Sequence, residues 1–119
     1  MLRRTYLLAA AILWFSGLCS AQQTTLTGYL MDKACSPDAV KKGEKVAKEH
    51  GVDCALMGDC VKSGYGVLLP EGKFVTFDAA GNRRALAALK VTKKQNDLQV
   101  TVTGDVTGDT IKVATLKLM

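Results

Sequence analysis

Apolar and polar positions alternate along Thr24–Asp32 (TTLTGYLMD), and the threonine, tyrosine and leucine there suit a pleated strand. Gly28 inside that run predicts a bulge or a close approach of backbone. After Asp32 the period changes. Ser36-Pro37-Asp38 reads as a helix start: serine can accept from the orphan amides, proline suits the first helical position, and aspartate suits the positive end of the dipole. Ala39, Val40, Gly43, Val46, Ala47 and His50 then share one side at helical spacing, and Gly51 is the expected C-terminal stop. Residues 53–62 (DCALMGDCVK) predict a second, shorter helix, weakened by Gly58 and closed by Ser63-Gly64. Residues 65–69 and 73–78 are short apolar runs joined by Pro70-Glu71-Gly72, which is hairpin chemistry. Ala79-Ala80-Gly81-Asn82 reads as a loop, with Asn82 placed to cap a short helix over residues 83–89. Residues 90–96 read as irregular.

The last segment is the most regular. Leu98, Val100, Val102 and Val106 share one face with Gly104, while Gln99, Thr101, Thr103 and Asp105 take the other. Thr107-Gly108-Asp109 turns the chain. Ile111 and Val113 resume the apolar face, but Leu116 and Leu118 are out of phase with them, so the strand must twist or bulge near Ala114-Thr115. The predicted order is strand, helical pair, two-strand hairpin, short helix, two-strand hairpin. That is a mainly β fold: a five-stranded OB-like barrel with a short helix between strands three and four and a helical insertion between strands one and two.

Composition changes the picture at the N-terminus. Arg3 and Arg4 precede an apolar run over residues 6–15 that is too short for a bilayer span of about 20 residues, and Cys19-Ser20-Ala21 supplies small side chains at a cleavage point. Residues 1–21 therefore read as a signal peptide cut between Ala21 and Gln22, with residues 22–119 as a single exported domain, periplasmic or secreted. Removing 21 residues from 119 leaves 98. Two arginines leave with them, so sixteen basic against eleven acidic residues become fourteen against eleven, a net charge of +3. One of the four cysteines, Cys19, leaves too, and the odd set Cys35, Cys54 and Cys60 remains. With so little charge and four aromatics (Tyr29, Tyr65, Phe74 and Phe77), an exported chain makes a poor nucleic-acid binder.

Certain residues form a longer pattern. Thr27-Gly28-Tyr29-Leu30-Met31-Asp32-Lys33-Ala34-Cys35 opens the domain; His50, Cys54 and Cys60-Val61-Lys62-Ser63-Gly64 follow, then Gly72-Lys73 and Asp78. Val100-Thr101-Val102-Thr103-Gly104 and Gly108-Asp109-Thr110-Ile111-Lys112-Val113 close it. This resembles a family of small exported bacterial domains of unknown function with a G-Y-x-x-D-x-x-C … C … C-V-K-x-G pattern, over nearly the whole mature chain. The closing hairpin also looks like that of periplasmic OB-fold proteins linked to stress tolerance. The resemblance implies an OB-like fold and brings no activity.

The residues able to carry chemistry are Cys35, His50, Cys54 and Cys60. In an oxidising compartment the first expectation is a disulfide between two of the three cysteines, pinning the inserted helices to the end of strand one. On one continuous helix Cys54 and Cys60 would stand about 120° apart, so a direct bridge between them needs a break at Gly58, and Cys35 is the expected partner of one of them. The second reading is a Cys3His site for zinc or a copper ion, since thiolate and imidazole suit both. The third is thiol redox chemistry, for which no C-x-x-C is present. P-loop, H-E-x-x-H, C-x-x-C-H, G-x-S-x-G and strand-following G-x-G-x-x-G motifs are all lacking. The carboxylates of Asp32, Asp78, Asp105 and Asp109 read as turn formers. The sequence thus points to a non-enzymatic, disulfide-stapled domain, without a cofactor and without a stable membrane span once processed. It would bind a small ligand or an envelope partner or serve stress tolerance, as a monomer whose spare thiol allows a disulfide-linked dimer. The metal-binding and thiol-redox proteins are the alternatives.

Overall fold

The computed structural model describes residues 23–119. The expected signal peptide and its expected cleavage between Ala21 and Gln22 lie outside the described residues.

Among the described residues, five strands and five helices follow in the order β1 (Thr24–Asp32), α1 (Ser36–Lys42), α2 (Glu44–Glu49), α3 (Val52–Ala55), α4 (Gly58–Ser63), β2 (Tyr65–Leu68), β3 (Phe74–Phe77), α5 (Ala79–Val91), β4 (Gln99–Thr107) and β5 (Thr110–Leu118). The strands form one sheet that closes on itself in the order β1-β2-β3-β5-β4. All neighbours are antiparallel except β3 and β5, which meet in parallel through Thr76–Thr110 and Phe77–Ile111. The first part of β1 pairs with β4 and its end pairs with β2; Tyr29 lies opposite Gln99 on one side and Leu68 on the other. At Gly28, a Cβ would overlap the carbonyl of Leu68, so this strand position accepts only glycine without a shift of backbone.

Alternation on β1 serves two cores. Leu30 points into the sheet with Val67, Val75, Phe77, Leu98, Val100, Val102, Ile111 and Val113. Met31 points outward and is covered by Ala39 and Ala47 of α1 and α2, together with Leu68. The expected phase change in the last strand is a bulge: Thr103 pairs with Thr115 and Gly104 with Val113, so Ala114 has no partner across the ladder. With that extra residue, Leu116 and Leu118 return to pack on the core.

Three expectations need correction. The helical insertion is four short helices, not two, because Gly43 takes φ 91° and breaks the first, and Met57 is extended (ψ 143°) and breaks the second. Gly51 is not a left-handed cap (φ −102°); it is small because the Gln95 carbonyl oxygen would lie 2.9 Å from a Cβ there. The helix between β3 and β4 starts at Ala79 and is capped by Asp78, whose carboxylate accepts from Gly81 N–H at 3.0 Å and from Val113 N–H at 3.1 Å. Asn82 lies inside it and accepts from Tyr65 N–H at 2.8 Å, fastening α5 to β2.

Candidate metal centre

Both ends of the inserted helices return to the same place. Lys33 N–H donates to the Gly64 carbonyl at 2.8 Å, Ala34 N–H to Ser63 Oγ at 3.2 Å, and Ser63 Oγ–H to the Cys60 carbonyl at 2.7 Å. The turn after β1 and the end of α4 are thereby held side by side. Ala55, at the end of α3, is fixed from below by Tyr65, whose hydroxyl donates to its carbonyl at 2.7 Å. Three short elements thus present Cys35, Cys54 and Cys60 to one another, and their sulfur atoms all lie within 4.8 Å. Cys60 is buried; Cys35 and Cys54 are half-buried, so the cluster reaches the surface. All three are free thiols: the expected staple is not formed among them.

His50 does not complete a Cys3His set. The helix α2 ends at Glu49, and His50 follows in an extended conformation that turns its ring toward Asp32. Nε2 stands 2.7 Å from Asp32 Oδ1, with side-chain exposures of 6% and 0%. Neither atom meets hydrogen-bond geometry, and Nδ1 has no partner among the described residues, so the two groups form a close buried contact. His50 and Asp32 share a second potential ligand group with Cys35, but no single group joins His50 to Cys54 and Cys60 as well among the described residues.

Asp32 is the residue that sequence reasoning missed as part of the site. It was read as a turn former, and it is one: Cys35 N–H donates to Oδ2 at 2.9 Å. It is also the partner of His50. The available signal was its place in G-Y-x-x-D-x-x-C, directly before the first cysteine. Burial pushes its carboxyl up, but the contact with His50 and the Cys35 amide together outweigh burial and hold it below the usual range. That carboxylate in turn acts on its neighbours. The Cys35 thiol is pushed up to about 12 by burial first, then by Asp32 and Cys54. Burial and Asp32 also push Cys60 up. Thiols held protonated by a nearby negative charge are poor nucleophiles. A bound cation would reverse that balance, since a coordinating thiol gives up its proton to the metal.

Tyr65 supplies a testable anchor for this geometry. Burial, Asp32 and Cys60 raise its phenol from 10.0 to about 12. A raised folded value means the stabilisation is complete below pH about 10 and lost as pH rises toward about 12. Tyr65→Phe leaves the Ala55 carbonyl without its donor and is expected to cost about 1–2 kcal/mol at neutral pH. It should also flatten the alkaline limb of stability between those two pH values, read by urea unfolding at stepped pH. An unchanged alkaline limb would show that Tyr65 does not carry it.

Comparison with protein-family models, curated proteins and solved structures gives no match. No helix among the described residues is long and apolar enough to cross a membrane.

Proposed function

We propose that this chain is an exported, non-enzymatic OB-like domain whose three-thiol cluster binds a thiophilic metal ion. The convergence of Cys35, Cys54 and Cys60 from three separate elements supports this reading. A metal bonded to sulfur at about 2.3 Å sits in a triangle of sulfurs about 4 Å apart, so small side-chain adjustments suffice. All three thiols then have a role. The strand order and the helix between β3 and β4 support the OB-like barrel, in which the α1–α4 insertion is an addition built to carry the cluster. The basic start, apolar run and small residues of positions 1–21 support export.

The disulfide staple is the second reading, favoured by the same proximity and by an oxidising compartment. A bridge needs sulfurs at about 2.05 Å and uses only two of the three. It leaves the third thiol for a partner protein or a second copy, and a small ligand or envelope partner as the cargo.

Intact mass, thiol count and metal content of the protein purified after export separate the two. Stoichiometric metal, with every thiol titratable after chelation and unfolding, is expected. A two-proton mass deficit with a single titratable thiol and no metal selects the staple. Free thiols with no affinity for any added soft ion would overturn the metal reading.

A further inference from the structure

We infer that the ion held by this cluster is monovalent copper, bound by Cys35, Cys54 and Cys60 alone; this rests on the metal-binding reading above. The coordination number decides it. The described residues bring three sulfurs together and no fourth ligand of the same group. The chain's one histidine is turned to Asp32, and one oxygen of that carboxylate accepts from the Cys35 amide. Structural zinc sites are almost always four-coordinate and tetrahedral. Soft thiolate sets also select Cu(I), which does not impose that fourth ligand. Hard ions such as calcium take six or more oxygens, and among the described residues the ligand groups around the thiols offer one carboxylate, Asp32.

Binding balances without any change of oxidation state: three S–H bonds break, three Cu–S bonds form, and three protons pass to solvent.

The test uses the protein purified after export and reduced under anaerobic conditions. It is titrated separately with Cu(I), presented as its bicinchoninate complex, and with Zn(II) in competition with a chromophoric chelator. Stoichiometric Cu(I) uptake is expected, with X-ray absorption showing sulfur neighbours only and no imidazole scattering. Zn(II), added in hundredfold excess, should fail to displace it. Cys54→Ser should weaken Cu(I) binding by more than the roughly 10–100-fold that loss of an outer partner costs. Imidazole scattering, or displacement of copper by zinc, overturns the Cu(I) assignment while leaving a metal site. Failure of both ions to bind reduced wild-type protein overturns the metal reading itself. The scattering and competition experiments need no variant, so a misfolded cysteine mutant does not blunt the outcome.

Discussion

Asp32→Ala is expected to cost about 2–6 kcal/mol, since it deprives two enclosed groups of the carboxylate they face, at about 1–3 kcal/mol each. A domain of this size is held by only about 5–15 kcal/mol in total. Asp32 is fully buried, and its two oxygens serve different neighbours: Oδ1 faces His50 Nε2 at 2.7 Å and Oδ2 accepts from Cys35 N–H at 2.9 Å. Alanine strands both, leaving a buried imidazole without a partner and a turn amide without an acceptor. Asp32→Asn keeps an acceptor for Cys35 and loses only the charge, so it should fall between wild type and alanine. Urea unfolding should show a lower midpoint at an unchanged slope. Acidification supplies an independent reading. The Asp32 carboxyl lies below its ordinary 3.8 in the folded protein. Its stabilisation is therefore present above pH about 4 and lost as pH falls through the folded value. Wild type should show that acid limb and Asp32→Asn should show less of it. A loss of under about 0.5 kcal/mol for Asp32→Ala, within the range of ordinary surface changes, would mean the pair does not hold the site.

How much of this was legible beforehand depended on the range of the interaction. The hairpin turn at Pro70-Glu71-Gly72 could be read because Gly72 supplies the left-handed conformation (φ 86°) within a few residues of both strands. The bulge at Ala114 could be read because a phase change in a period-two pattern has no other outlet. Gly81 was misread for the opposite reason. Locally it looks like loop, but a Cβ there would clash with Val113 and Phe77, so its glycine reports α5 packed tightly on the sheet. Asn82 and Asp78 are both good caps by type, and only the reach of Asp78 to Val113 N–H in β5 chooses between them. Val106 fits the apolar face by phase and is 37% exposed, because β4 there has passed the end of its pairing with β1 and keeps only β5 beside it.

The site divided in the same way. That Cys35, Cys54 and Cys60 act together could be proposed from their number and compartment. Their convergence could not be derived from helical angles, because the angle between Cys54 and Cys60 has meaning only on one helix, and the chain breaks at Met57, just before the glycine where a break was required. Pairing of Asp32 with His50 crosses from a strand end to a helix end, and no periodicity reports a contact of that kind.

Gly28→Val is the second large effect, at or above the upper end of the roughly 1–3 kcal/mol that overpacking costs. What a side chain at 28 would meet is mainly backbone: the carbonyl of Leu68, with Val67 Cγ2 at 2.9 Å behind it. A flexible side chain could move aside; a paired strand cannot do so without opening the ladder. At this point β1 is bonded along both edges, with Gly28 opposite Val100 of β4 and Tyr29 opposite both Gln99 and Leu68. The strain therefore falls on the closure of the sheet, and melting should drop by on the order of 10–20 °C. Gly58→Ala is the contrasting case. It lies at the start of α4 in open space and outside the left-handed region, so alanine should stabilise by about 0.4–1 kcal/mol through the unfolded chain. Tolerance of valine at 28 within about 0.5 kcal/mol would show that β1 and β2 do not approach as closely as described. The consequence reaches the thiols, since the end of β1 carries Asp32 and leads directly into Cys35. Gly28→Val should accordingly weaken the proposed metal binding without altering any of the three cysteines, whereas Gly58→Ala, only two residues from Cys60, should leave it intact.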